Sequence, residues 1–334
     1  MDDSKIPKQE ILPPSPAGML PSSPGAAGVP DIIRFAGPDA AQAFDEFFAA
    51  RIRNRYTRAA YLHAVRRFMA WAVRRCNSIE DITPGMIGNY FDEHPGAVPT
   101  RKLHLSAIRS FFDVLVKHGV VKKVNPAASV RGERYEVKEG KTPEISRDQA
   151  RKLLASILTD TAVGRRDAAL IATLIYTAAR AGAVAGLRMK HLQWDGKQYT
   201  LRFLEKGGKS RLIPVQLKLH GYLLEYLDSL DWKALPADSP LFRSAAGRTG
   251  LLTDRPMRNI DVCRMVKRRL KAAGLPDQFS PHSFRVATLT DLLIQGVSLE
   301  DAAYLAGHAD TRTTRLYDRR KQEVTRGTVE KISI

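Results

Sequence analysis

The stretch HSFRVATLTDLLIQGVSLEDAAYLAGHADTRTTRLYDR, His282 to Arg319, holds the residues on which the reading of the chain turns. It opens with His282 and Arg285, which at i and i+3 share one face of a helix and can reach one anion together. Arginine suits a phosphate because its planar fork donates two hydrogen bonds to neighbouring oxygens. The same residues also read as an ordinary helix start, with Pro281 in the first turn and polar side chains at the surface. Residues 298–306 scan as a helix, Gly307 as a turn, and the next segment as a basic helix. That segment carries Tyr317 among Arg312, Arg315, Arg319 and Arg320. Tyr317 is either a packing residue or a nucleophile. A phenol with a pKa of about 10 attacks poorly at neutral pH unless nearby cations or a base favour the phenolate. His308, directly after the turn, reads by itself as a structural histidine.

Upstream, HLQWDGKQYTLRFLEKGGKSRLIPV contains two turn signals, Asp195-Gly196 and Gly207-Gly208, between strand-like runs. A three-stranded antiparallel sheet embedded among helices is expected there. Lys206 and Lys209 flank the second turn, either as solvated loop-tip charges or as ammonium groups extended towards an anion. Before it, AALIATLIYTAARAGAVAGL (Ala168–Leu187) is the most apolar window of the chain, but it contains Arg180. Placing that arginine in a bilayer would cost about 2.5–3.5 kcal/mol, so the window reads as a core helix ending near Arg180 and not as a membrane span. Arg180 is then either paired in a salt bridge or an anion-binding group at a helix C-terminus.

The N-terminal half reads differently. Residues 1–30 are rich in Pro, Gly, Ala and Ser without hydrophobic period, and a disordered segment is expected over 1–36. Over 37–128 the pattern is helical. RYTRAAYLHAVRRFMAWAVRR spaces Tyr61, Leu62, Val65, Phe68, Met69 and Ala72 for one buried face and leaves Arg58, Arg66, Arg67, Arg74 and Arg75 on the others. Thr83 and Pro84 predict the start of a further helix, and RKLHLSAIRSFFDVLVKHG another that ends at Gly119. A charged, aperiodic stretch, 129–143, predicts a linker. Ser146 is the expected N-cap of the first helix in a second domain, 144–334, which returns to helix from Asp254 to Asp318.

Charge sets the partner class. The 334 residues carry 53 Lys and Arg against 35 Asp and Glu, a net charge of +18. The excess is spread over both halves: 17 basic against 10 acidic residues in 31–135, and 34 against 22 in 136–334. A basic chain of this kind fits a polyanion, DNA above all, because neutralising phosphates releases condensed counterions. Cys76 and Cys263 stand far apart, which argues against a disulfide framework or a zinc site and fits a reducing cytosol. The start, MDDSKIPKQE, shows no signal peptide.

In order and approximate spacing, Arg180, Lys206, His282, Arg285, His308 and Tyr317 resemble the active-site series of the tyrosine recombinase (phage integrase) family. EKGGKSRLIPV looks like that family's lysine hairpin, and His282–Arg319 like its two C-terminal boxes. The resemblance runs from about Asp39 to the C-terminus. It implies a mainly α protein with a small antiparallel β-sheet, in which a helical core-binding domain and a mixed catalytic domain clamp double-stranded DNA. It also implies site-specific recombination through a 3′-phosphotyrosine on Tyr317. Arg180, Arg285 and His308 would hold the phosphate oxygens. His282 would accept the tyrosine proton, and Lys206, with Lys209 as alternate, would protonate the leaving oxygen. No metal or other cofactor is expected, since the phosphotyrosine conserves the bond energy; the sequence offers neither clustered carboxylates nor a GxxxxGK[ST] loop. Partners would be a homo-tetramer on two paired sites, with the C-terminal tail docking on a neighbouring protomer, and the location cytoplasmic and bacterial. AARAGAVAGL leans towards integrases of mobile elements. Two positions depart from the pattern: Ala183 stands where most members have an acidic residue, and Val286 where many have histidine. Two alternatives remain at this point, a non-catalytic helix–turn–helix DNA binder and a type IB topoisomerase-like nicking enzyme.

Overall fold

The computed structural model describes residues 28–135, 142–204 and 210–318. The chain divides into two units, Met1–Glu136 and Val137–Ile334.

In the first unit, five helices follow one another: α1 (Asp31–Phe35), α2 (Pro38–Glu46), α3 (Arg55–Ala72), α4 (Pro84–Asp92) and α5 (Val98–Lys117). A short π-helical turn, Phe47–Arg51, prolongs α2. Phe44, Phe47, Phe48, Phe68, Phe111 and Phe112 are all buried, and Phe44 meets Phe111 edge to face at 5.8 Å. Burying an aromatic ring of this kind contributes about 1.5–3 kcal/mol. The expected stripe on α3 buries Val65, Phe68, Met69 and Ala72, while Tyr61 and Leu62 are only partly covered. Thr83 caps α4 by accepting from the Met86 amide at 3.3 Å.

The helical unit starts earlier than the expected boundary at 37. Ile32 and Ile33 of α1 are buried in the core, and the Arg66 side chain donates to the Gly28 carbonyl at 3.0 Å. The apolar pair outweighs the Pro- and Gly-rich composition around it; residues 1–27 lie outside the described residues. The first part of the expected linker also packs on this unit, because Arg109 donates to the carbonyls of Ala127 and Val130.

In the second unit, α6 (Arg147–Ala155) opens under a reciprocal Ser146–Gln149 cap. The apolar α7 (Ala162–Thr177) is buried on most faces. It ends at Ala178, which adopts the left-handed conformation (φ 50°). A non-glycine residue there costs about 1 kcal/mol or more. The α7 helix therefore stops short of Arg180, and Arg180 instead precedes the short α8 (Ala181–Ala185).

Strands β1 (Leu192–Trp194), β2 (Tyr199–Leu204) and β3 (Ser210–Pro214) form the expected antiparallel sheet in the order β1-β2-β3. Gly196, at φ 99°, makes the turn between β1 and β2 that a side chain would strain. After α9 (Leu217–Leu227) comes an unexpected two-stranded ribbon, β4 (Arg243–Ala245) with β5 (Leu252–Pro256). It carries strand where helix was expected to begin at Asp254. Helices α10 (Asn259–Ala272), α11 (Pro281–Ile294), α12 (Leu299–Ala306) and α13 (Thr311–Arg315) complete the unit. Asp167, fully buried in α7, accepts hydrogen bonds from Arg166, Arg268 and Arg269 and ties α7 to α10. Among the described residues no helix is long and apolar enough to cross a membrane.

Candidate active site

The site lies where the break after α7, the start of α11 and the α12–α13 turn meet. Gly307 ends α12 at φ 63°, a conformation that glycine adopts without strain, and so turns the chain back at His308. Asp310 caps α13 by accepting from the Arg312 amide at 2.8 Å. The tyrosine that follows is 8% exposed and packs with Ala178, Val286, Leu289, Leu293, Ala302 and Ala306. Its backbone carbonyl accepts from Thr290 at 3.2 Å. Val286 thus fills part of the apolar seat behind Tyr317, while Ala183 packs at the edge of the larger core.

Five of the six expected site residues converge. Tyr317 Oη and His282 Nε2 are 3.2 Å apart. The Tyr317 ring also stacks on His308, with centroids 5.7 Å apart and planes 16° from parallel. Arg285, 1% exposed, donates from Nη1 to the Ala178 carbonyl at 2.5 Å and from Nη2 to His308 Nε2 at 2.5 Å. Its Nε is buried with no hydrogen-bond partner among the described residues. Arg180 is exposed and donates to the Gly307 carbonyl at 3.4 Å. The strained turn at Ala178 accordingly points its carbonyl at one arginine and sends the chain on to the other. The sixth residue, Lys206, and its alternate Lys209 lie outside the described residues, although Leu204 and Ser210 on either side are paired.

The electrostatics follow from this crowding. Partial desolvation, then the charges of Arg285 and Arg180, lower the His282 pKa. Desolvation, with Arg285, Arg180, His282 and Arg211, pushes that of His308 down to about 3. Both rings are neutral at pH 7, which leaves His282 Nε2 able to accept a proton from the phenol. Burial also brings Arg285 down to about 10, a value at which it is still a cation at pH 7.

Two residues here escaped the sequence reading. Arg211, on β3, is buried, lies 5.0 Å from the Phe203 ring centroid and donates to the Leu305 carbonyl, which pins the sheet to the end of α12. Strand alternation was the available signal, since Arg211 falls on the same face as buried Ile213. Thr314, fully buried, lies with its Oγ1 2.8 Å from His308 Nδ1. Its position three residues before Tyr317 was the only sign.

Comparison with known proteins agrees with this geometry. The phage integrase family matches residues 143–323, and the N-terminal SAM-like domain of phage integrases matches residues 41–119. The chain belongs to the phage integrase family. It is a tyrosine-type site-specific DNA recombinase. The tyrosine recombinase XerC of Pelobacter propionicus is 29% identical over 78% of this chain and 84% of its own. Among solved structures, XerH bound to palindromic difH substrate in a post-cleavage complex shares the fold at a TM-score of 0.66, with 19% identity and 84% of each chain covered. A lambda integrase tetramer bound to a Holliday junction does so at 0.60, with 21% identity over 87% of this chain and 81% of that one. The comparisons thereby favour the recombinase reading over both alternatives. The helix–turn–helix outline is present, but α13 has only five residues and Tyr317 faces His282, a partner that a simple DNA binder does not need.

Proposed function

We propose that Tyr317 is the nucleophile of this recombinase, and that the group around it is the phosphoryl-transfer centre. The observation that carries this is the 3.2 Å approach of Tyr317 Oη to the neutral His282 Nε2, beside Arg285 and Arg180. Tyr317 Oη attacks the scissile phosphorus while its proton passes to His282. The bond to the 5′ oxygen breaks, leaving a 3′-phosphotyrosine and a 5′-hydroxyl whose proton comes from Lys206, or from Lys209 in the alternate register. Arg180, Arg285 and His308 hold the non-bridging oxygens as charge builds on them. One such donor in a dry site is worth about 3–4 kcal/mol. The unpartnered Arg285 Nε supports this role, since a buried guanidinium nitrogen without an acceptor is costly and a phosphate oxygen satisfies it. The reverse attack by a 5′-hydroxyl of the second site releases Tyr317 and rejoins the strand.

Both units bind DNA in this account, which fits the basic excess in each half. The protein acts as a tetramer on two paired sites, as the lambda integrase neighbour bound to a Holliday junction suggests. The tail after Tyr317, ending in VEKISI, docks on a neighbouring protomer, and the product is an integrated, excised or resolved element, with a mobile-element role preferred. The protein works in the bacterial cytoplasm, at the nucleoid when on DNA. Tyr317→Phe tests the assignment: cleavage should be abolished while DNA affinity is retained, and equal loss of both would reject it.

A further inference from the structure

We propose that the Thr314 hydroxyl is a positioning group for His308, accepting from the ring Nδ1–H at rest and changing to donor at Nδ1 when a phosphate enters the site. The inference rests on the reading of His308 as a phosphate ligand and goes beyond it by naming the group that supports that ligand in both states.

A guanidinium has five N–H donors and no acceptor. Arg285 Nη2 lies 2.5 Å from His308 Nε2, so Nε2 must present its lone pair. The ring proton is then on Nδ1, and Nδ1 lies 2.8 Å from Thr314 Oγ1. In the resting site, therefore, the Thr314 oxygen accepts. A doubly protonated ring would set two donors against each other at Nε2. Among the described residues the other groups facing the ring, Arg180, His282, Arg211 and Tyr317, include three further cationic or ionisable nitrogen groups and no carboxylate, which also disfavours imidazolium. Thr314 is fully buried, so water does not replace its oxygen.

A phosphate reverses the requirement. Its oxygens are acceptors, so His308 can bind one only through an Nε2–H. When the Arg285 fork turns to the phosphate, Nε2 is released from its donor. With the proton on Nε2, Nδ1 becomes the lone-pair nitrogen and needs a donor in turn. A hydroxyl serves both states by rotating about its Cβ–Oγ bond. The ring stays neutral throughout: one proton is lost at Nδ1 and one gained at Nε2, with no net uptake. Valine has nearly the shape of threonine but neither donates nor accepts. Serine keeps both functions.

The test uses the full-length chain. Long-range nitrogen–proton NMR on histidine-labelled protein, with His308→Gln supplying the assignment, should show His308 as the Nδ1–H tautomer in wild type and in Thr314→Ser. In Thr314→Val the Arg285 donor still faces Nε2, so the Nδ1–H tautomer should persist there at rest. On DNA nicked beside the cleavage point, covalent adduct should form about tenfold more slowly with Thr314→Val, the effect of losing one buried hydrogen bond. Thr314→Ser should stay within about twofold of wild type, and DNA affinity should not change in either. A wild-type ring in the Nε2–H form overturns the proposal whether or not the valine variant folds. So does a Thr314→Val rate equal to wild type, or a serine variant as slow as valine. Failure of wild type to form any adduct on DNA it binds would instead count against the covalent reading, and the resting tautomer would still be decided by the spectrum.

Discussion

Acid should loosen the first unit before it reaches ordinary carboxylate chemistry, and the cause is a buried histidine pair. His104, 3% exposed, lies 3.1 Å from Tyr90 Oη and 3.1 Å from His94 Nε2, both measured from its Nδ1. His63 meets the ring edge-on at 5.9 Å, and Arg67 adds its charge. Burial, then His94, His63 and Arg67, brings the His104 pKa from 6.5 down to about 4. Burial and Arg67 lower that of His94 in the same direction. The folded chain therefore binds fewer protons than the unfolded chain below pH 6.5. Stability from these groups is intact above the unfolded value and is lost as pH falls towards the folded one. For His104 alone, going from pH 7 to about pH 4.5 removes about 2.5 kcal/mol, at 1.36 kcal/mol per pH unit. His94 adds to that loss.

Trp71 reports on this site, since it packs 5.5 Å from Tyr90 and donates to Glu93 at 2.7 Å. Replacing Trp194 and Trp232 by phenylalanine isolates its fluorescence during urea unfolding at a series of pH values. His104→Gln keeps hydrogen-bonding capacity but cannot titrate, so the loss between about pH 6.5 and pH 4.5 should shrink by about 2 kcal/mol in that variant. An unchanged pH slope would refute the reasoning.

Three further outcomes are expected. Asp167→Asn removes the carboxylate shared by Arg166, Arg268 and Arg269; urea denaturation of the second unit should show a loss of about 3–5 kcal/mol, the range for breaking a buried ion pair. Adduct formation should fall as pH drops through the lowered His282 pKa, below 6.5, because only the neutral ring accepts the tyrosine proton; a pH–rate profile of wild type against His282→Gln checks this, and the variant should lack that limb. Deleting the chain from Gly327 should weaken assembly on DNA without abolishing monomer binding, as read by sedimentation of protein–DNA complexes.

Much of this architecture was legible from local rules. The 3–4 spacing of apolar residues gave α3 and its buried face, Ser146 and Thr83 marked helix starts, and Asp195-Gly196 placed the first hairpin. The candidate site was legible as an order of residues, because Arg285 lies one helical turn after His282 and the Gly307 turn fixes where His308 stands. What remained hidden depends on contacts between distant segments. Ala178 looks like one more helix residue until its carbonyl is needed by Arg285, 107 positions away. The β4–β5 ribbon has strands of three and five residues with charged side chains, too short and too polar to show a period. Thr314 and Arg211 carry no motif of their own; only burial beside His308 and Leu305 gives them a role.

Covalent trapping tests the central claim most directly. Wild type and Tyr317→Phe are incubated in EDTA with recombination-site DNA nicked beside the cleavage point, so that religation fails. The account predicts an SDS-resistant protein–DNA adduct with wild type, cleaved to leave a 5′-hydroxyl, and none with Tyr317→Phe at equal DNA occupancy. An adduct that survives the loss of the Tyr317 hydroxyl, or no adduct from wild type on DNA that it binds with a partner site present, would contradict it.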